Sequence, residues 1–329
     1  MNQKRWIALA IAIGLLVLST VAQFTTTVAT TDFTDMFQSE SEYAEEVIEQ
    51  GSIDERVAVV NVEGVIQSGV TGGVFSGATY NHDRILGMLD HVKESDQFKA
   101  LVLNVNTPGG GVVESAEIHD RIVEIRDAGK PVYVSMGNTA ASGGYYISAP
   151  ADKIVAHEAT LTGSIGVIME SINFAELADN LGVDFNTITS GEYKDIMSSS
   201  RPMTDDEEEI LQTMVDDMYQ DFVDVIVEGR DMDESKVREL GDGRVYTGSQ
   251  AAENGLVDAL GSLDDTIAQM KEEQDLQNAQ VVELGASAGF NSIINGAATS
   301  LFGDEMRASR LQEFMRESNS PRAMYLYTE

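Results

Sequence analysis

The chain has no cysteine among its 329 residues and is poor in tryptophan (one), histidine (four) and proline (five). The lack of cysteine excludes disulfide staples and any zinc, iron–sulfur or thiol site built on cysteine. Basic residues are also scarce: 21 lysines and arginines stand against 55 aspartates and glutamates, for a formal net charge of −34. Such a surface repels phosphate backbones, so we expect no nucleic-acid partner. We interpret the acidity as adaptation to a salty or alkaline medium.

The first 31 residues are almost free of charge. After Lys4 and Arg5 the next charged residue is Asp32, and residues 6–22 are nearly all apolar. That length is at the short end of what crosses a hydrocarbon core of about 30 Å as a helix, and the basic residues before it place the N-terminus in the cytoplasm. We expect residues 1–24 to form a cytoplasmic tip and a membrane anchor, and the rest of the chain to be extracytoplasmic. A cleaved signal peptide is the alternative.

Residues 25–55 are polar and acidic, and we interpret them as a linker. Beyond them, short runs rich in β-branched residues predict four strands, at residues 57–62, 100–105, 131–134 and 153–156. These runs are apolar throughout, which is typical of parallel strands covered on both faces. The pattern therefore predicts an α/β fold.

Two helices are also indicated. Ile118, Ile122 and Ile125 recur at helical spacing between the second and third predicted strands. Thr204 and Glu207 have the spacing of a capping box, which predicts the start of a long acidic helix. Ile210, Met214, Met218 and Phe222 follow on one side of that helix.

Three further segments have residues suited to catalysis, at 106–111 (NTPGGG), 137–146 (GNTAASGGYY) and 190–198 (SGEYKDIMS). The glycines of the first segment leave backbone amides uncovered, as an oxyanion hole requires, although a tight turn would use the same residues. Ser142 lies among small residues in the second segment, where a substrate backbone could approach its hydroxyl.

A serine nucleophile needs a base, because its free hydroxyl is hardly ionised near neutrality. The four histidines lie outside the small-residue segments, at positions 82, 91, 119 and 157, and we interpret them as structural or solvated. Lys194, in the third segment, could take the serine proton if burial favoured its neutral amine. Considered separately, Ser142 is a turn serine and Lys194 a solvated lysine.

Considered together, the segments resemble the signal peptide peptidase A (SppA) family of membrane-anchored bacterial serine proteases, whose members have a Ser-Lys dyad and a ClpP/crotonase-like fold. The motifs that carry the resemblance are NTPGGGVVES (106–115), ASGGYY (141–146), TGSIGV (162–167), SGEYKDIMSSSR (190–201) and the closing segment 245–265. Their order and spacing agree over residues 56–270, which is more specific than any single motif.

The resemblance implies that Ser142 is the nucleophile and Lys194 the general base. It implies an oxyanion hole formed by Gly110 and Gly143, with Gly109 as the next candidate. No metal or cofactor is implied.

The resemblance also implies a protease domain at residues 56–272 and a C-terminal extension at 273–329. Ser164 would lie near the dyad and orient the lysine, although a turn serine is an equal interpretation. For the last nine residues, 321–329, a self-substrate or a docking strand is conceivable, and we expect a disordered end.

By the same resemblance, the substrates would be hydrophobic peptides left in the membrane by signal-peptide cleavage. The chain would form a ring- or dome-shaped homo-oligomer in which the dyad is shared between protomers. Two other functions stay open at this point: an acyl-CoA enzyme of the crotonase type and a catalytically silent membrane-tethered scaffold.

Overall fold

The structure, a computed structural model, describes residues 43–68, 80–285 and 323–327. The predicted membrane anchor at residues 1–24 lies outside these ranges. Within them, no helix is both long and apolar enough to span a bilayer.

The described residues form two sheets. Their strands are β1 (Ala44–Glu49), β2 (Ser52–Glu63), β3 (Phe98–Thr107), β4 (Gly109–Gly111), β5 (Val132–Ala141), β6 (Lys153–Ala156), β7 (Leu161–Gly163), β8 (Ile168–Met169), β9 (Val245–Thr247), β10 (Ala259–Leu260), β11 (Ala279–Gly285) and β12 (Ala323–Leu326). The larger sheet has the order β1-β11-β2-β3-β5-β6-β10, with β7 attached to β5 and β9 to β7. The smaller sheet has the order β4-β12-β8.

The central strands of the larger sheet, from β11 to β10, pair in parallel. All four predicted strands are present, in β2, β3, β5 and β6, and the third begins one residue later than predicted. The predicted parallel α/β sheet is therefore confirmed.

Helices cover this sheet. They are α1 (His82–Glu94), α2 (Val112–Asp127), α3 (Gly143–Ser148), α4 (Ala175–Asn180), α5 (Asp205–Arg230), α6 (Glu234–Leu240), α7 (Gly248–Asn254) and α8 (Leu263–Glu273). The predicted stripe of Ile118, Ile122 and Ile125 is fully buried on α2.

Alternate residues of β2 face opposite layers, because successive side chains of a strand point to opposite faces. Ala58 and Val60 belong to the larger core, which includes the buried isoleucines of α2. Val57 and Val59 pack in a second core with Ile267 of α8. Both faces are thus buried, and this explains why residues 57–60 and 100–103 are apolar without alternation.

The sheet extends beyond the limits predicted for the protease domain. Residues 44–55, interpreted from sequence as linker, form β1 and the first part of β2, while β11 lies within the predicted C-terminal extension. Ion pairing stabilises the acidic β1: Arg56 Nη2 donates to Glu45 Oε2 at 2.5 Å. Because most side chains of β1 are exposed, its sequence has no apolar alternation to identify it as a strand.

The long acidic helix α5 begins with the predicted capping box, in which Thr204 and Glu207 bond each other's backbone amides. The apolar side of this helix divides into two parts. Phe222 is fully buried, whereas Ile210 and Met214, nearer the start of the helix, are 38% and 43% exposed. The first half of the helix therefore presents apolar side chains outside the core of the single chain.

Candidate active site

Ser142 occupies a sharp turn between β5 and α3. Its backbone has φ 54° and ψ −117°, a sparsely populated conformation for a residue with a side chain. The turn is held on both sides: the Ser142 N–H donates to the Gly163 carbonyl at 2.8 Å, and the Ser142 carbonyl accepts from Tyr145 and Tyr146 N–H at 2.8 and 2.9 Å. A strained backbone fixed in this way is common at reactive residues.

The glycine segment predicted to bind an oxyanion forms β4, next to this turn. Gly109 has φ 102°, a conformation that favours glycine. Ile66 bonds to one edge of the strand, because its N–H donates to Gly109 O at 2.9 Å and its carbonyl accepts from Gly111 N–H at 2.8 Å. Since alternate residues of a strand direct their amides to opposite edges, Gly110 faces the other edge.

The C-terminal strand β12 lies along that other edge of β4. The two strands pair antiparallel, with Tyr325 opposite Gly110, and Tyr327 N–H donates to Pro108 O at 2.8 Å. On its far side β12 pairs with β8. The expectation of a disordered end is wrong for residues 323–327, because backbone pairing on both edges holds them in place.

A buried aromatic side chain also anchors β12. Tyr325 is fully buried, and its ring lies 4.9 Å from that of Tyr146 and 4.7 Å from that of Phe222. Its hydroxyl donates to Met218 O at 3.0 Å. Burial raises the pKa of the Tyr325 phenol, so this side chain is neutral in its pocket.

The three predicted oxyanion glycines lie beside one another. A side chain at Gly109 would overlap the Tyr325 carbonyl oxygen and would come within 2.7 Å of the Gly143 nitrogen, and one at Gly143 would come within 3.2 Å of the Gly110 nitrogen. Gly143 is the first residue of α3, so its N–H has no acceptor within the helix. Gly109 N–H, by contrast, donates to Thr107 Oγ1 at 3.0 Å.

Lys194 lies in a turn after α4 and is exposed. Its backbone N–H donates to Gly191 O at 3.2 Å. Among the hydrogen bonds of residues 43–68, 80–285 and 323–327, none joins Lys194 to Ser142. A single chain therefore brings the serine and the glycines together but does not bond the lysine to the serine.

Ser164 follows β7 directly and has φ 49°. Its N–H donates to the Arg244 carbonyl at 2.8 Å, while the preceding residue, Gly163, accepts the amide of Ser142. Ser164 is thus one residue from the backbone contact that holds the serine turn.

Sequence reasoning missed two parts of this site. Tyr325 could have been noticed from the alternation Met-Tyr-Leu-Tyr at residues 324–327, which suits a strand. His119, interpreted as structural or solvated on the polar side of α2, packs its ring 5.4 Å from that of Tyr146 and so lies behind the Tyr325 pocket. The alternation suggests a strand, but no sequence motif indicates which rings Tyr325 and His119 contact.

Comparison with known proteins places this arrangement in a family. Residues 124–277, which include Ser142 and Lys194, match peptidase family S49. A protein of Enterococcus faecium named as a signal peptide peptidase SppA is 38% identical over 99% of this chain and 99% of its own length.

Two further relatives are named as proteases. One, from Synechocystis sp., is 42% identical over 60% of this chain and 69% of its own length. The other, from Methanocaldococcus jannaschii, is 37% identical over 65% of this chain and 68% of its own length. The chain belongs to the S49 family of serine-type peptidases and is an SppA-type protease.

Proposed function

We propose that this protein is a membrane-anchored serine endopeptidase that cleaves hydrophobic peptides, such as cleaved signal peptides, by a Ser142–Lys194 dyad. The observation that carries the proposal is the position of β12: an extended strand pairs with β4, and its Tyr325 carbonyl lies beside Gly109 and the Gly143 amide. A polypeptide in this position offers a carbonyl to the glycines predicted to stabilise the oxyanion, and Gly143 directly follows Ser142 in the chain.

In the proposed reaction, the neutral Lys194 amine takes the proton of the Ser142 hydroxyl as its oxygen attacks the peptide carbonyl carbon. The amides of Gly110 and Gly143 donate to the resulting oxyanion; removal of one such donor typically costs about 3 kcal/mol of barrier. The C–N bond then breaks, and the Lys194 ammonium returns its proton to the leaving amine. The same amine then deprotonates a water molecule, which attacks the acyl carbon. The Lys194 ammonium returns this proton to the Ser142 oxygen as the acyl–oxygen bond breaks, and the new carboxyl group is released.

The lysine would come from a neighbouring protomer. Supporting this, Lys194 is exposed, and the stretch of chain that precedes it has large apolar side chains that are mostly exposed: Ile172 (73%), Leu181 (71%) and Ile188 (99%). Exposed apolar groups of this size are typical of protein–protein contacts. In a cyclic assembly each interface would carry one dyad.

The substrate class and location follow from the predicted anchor. A helix at residues 1–24 would keep the catalytic domain close to the outer surface of the bilayer, where cleaved signal peptides remain. Tethering of this kind raises the effective concentration of enzyme relative to a membrane-bound substrate. The aromatic pocket that holds Tyr325, lined by Tyr146 and Phe222, suits an apolar side chain.

The test compares wild-type protein with Ser142→Ala on a synthetic signal peptide, with products mapped by mass. A matched control is Ser148→Ala: this buried serine is on α3, the short helix that follows Ser142, and its hydroxyl donates to Gly144 O at 2.6 Å. We expect cleavage by wild type and Ser148→Ala and none by Ser142→Ala. Undiminished cleavage by Ser142→Ala would exclude this serine as the nucleophile.

A further inference from the structure

We infer that Glu114 is a positioning residue of this peptidase, because its carboxylate clamps Ser68 and so holds β4 against Ile66. The effect of Glu114 on catalysis rests on the proposed function, whereas the Glu114–Ser68 clamp itself does not. Glu114 is the third residue of α2, immediately after the glycine strand.

The environment of Glu114 differs from that of an ordinary helix cap. At this position a glutamate usually folds back to accept the N–H of the N-cap residue. Here the N-cap is Gly111, and its N–H is already donated to Ile66 O at 2.8 Å. Glu114 instead reaches across to Ser68, whose N–H donates to Oε1 at 3.0 Å and whose hydroxyl donates to the same oxygen.

The Glu114 carboxylate contacts both segments that the backbone bonds of Ile66 connect, namely residues 64–68 and β4. A side chain at Gly111 would overlap Glu114 Oε2, so this oxygen lies directly against the glycine strand. Burial raises the pKa of Glu114, but hydrogen bonds from the Ser68 hydroxyl and N–H, a further hydrogen bond from the Glu114 backbone and the proximity of His82 together lower it below its usual range. The group that accepts both bonds is therefore a carboxylate at neutral pH.

This clamp is needed because β4 has no side chains with which to pack. Its three residues are glycines, which lose the most backbone freedom on ordering. One edge of β4 pairs with β12. A substrate strand would have to replace β12 at this edge, so β4 loses its partner there each time a substrate or product peptide dissociates. Ile66 supports the other edge throughout, and Glu114 fixes Ser68 two residues beyond it. The orientation of the Gly110 amide thus depends on Glu114.

Two measurements on full-length protein test the inference. The first is hydrogen exchange of the segments 64–68 and 109–111; the second is the rate at which a fluorophosphonate labels Ser142. For Glu114→Ala we expect exchange in both segments to be faster by about tenfold or more. We expect the rate of Ser142 labelling to fall by about 10- to 100-fold. The upper end of this range corresponds to the loss of one oxyanion donor.

Two further variants make the comparison specific. Glu114→Gln keeps an acceptor for Ser68 and should recover part of the labelling rate. Glu117→Ala is the matched control: Glu117 lies one turn further along α2 and bonds His82 Nε2 at 2.7 Å, so neither measurement should change. If Glu114→Ala does not fold, Ser68→Ala removes the hydroxyl donor from the other side of the clamp and should show the same pattern.

Unchanged exchange at residues 109–111 in Glu114→Ala would overturn the clamp. Faster exchange with an unchanged labelling rate would overturn the positioning role. If wild-type protein is not labelled at Ser142, the proposed function fails, and the exchange comparison alone then decides the clamp.

Discussion

Arg201 holds Asp195 in a two-pronged ion pair: Nε donates to Oδ2 and Nη2 donates to Oδ1, each at 2.8 Å. Asp195 is the residue after Lys194. The same guanidinium donates through Nη1 to Glu207 Oε2 at 2.8 Å. The turn that carries the proposed base is therefore fastened to the first turn of α5.

Replacing this guanidinium should impair catalysis without removing a catalytic group. We expect Arg201→Lys to lower kcat on a peptide substrate by about tenfold, because an ammonium cannot bond both carboxylates in a fixed fork and Lys194 would lose its orientation. Arg238→Lys is the control, since Arg238 pairs with Glu234 on the exposed surface of α6. Equal kcat values in the two variants would contradict the positioning of Lys194 by Arg201.

The same network makes stability depend on pH. Hydrogen bonds from Arg201, and then from the Thr204 backbone, lower the pKa of Glu207 from its ordinary 4.5 to about 2. Because the pKa is depressed in the folded state, this contribution to stability is complete above the ordinary value and is lost as pH falls from there toward about 2. The Tm of wild type should therefore fall more steeply on acidification than that of Glu207→Gln. Parallel Tm curves for the two proteins would show that Glu207 does not contribute.

A dyad shared between protomers should allow complementation. Ser142→Ala and Lys194→Ala subunits should each be inactive alone, and oligomers assembled from a mixture should regain activity, because some interfaces join an intact serine to an intact lysine. Activity is measured on a fluorogenic peptide after mixed assembly has been verified by tagged pull-down. Verified mixed oligomers without activity would place the dyad within one chain.

The position of β12 predicts competition with added substrate. A chain ending at residue 322 should show a lower KM for a peptide, with kcat nearly unchanged, because the Gly110 edge and the Tyr325 pocket would be vacant. Tyr325→Asp should have a similar effect, since Asp221, whose charge raises the pKa of Tyr325, would repel a second carboxylate there. The control is Tyr133→Phe, which alters a buried ring in the second core, on the other face of the sheet from Tyr325. An unchanged KM in both tail variants would contradict competition.

Much of the fold could be predicted from local patterns. Strands buried on both faces require continuous apolar runs, and the isoleucine stripe of α2 and the capping box of α5 are short-range signals. The edge strand β1 was not predictable, because an exposed acidic strand held by Arg56 has no apolar alternation. The paired end of the chain escaped prediction as well, since its partners, Gly109–Gly111 and Ile168–Met169, lie more than 150 positions away in sequence.

The candidate site, like the fold, was predictable from sequence in some parts and not in others. Local sequence alone specifies which residue types follow which strands: a serine among small residues, three glycines, and a lysine in a separate segment. The folded chain is needed to show that β5 and β4 end side by side, so that Gly110 and Gly143 adjoin one another. It also showed that Lys194 is exposed and unbonded to Ser142 within one chain. The reason is physical: local sequence sets backbone preference and burial, whereas contacts between distant segments depend on the packing of the whole sheet.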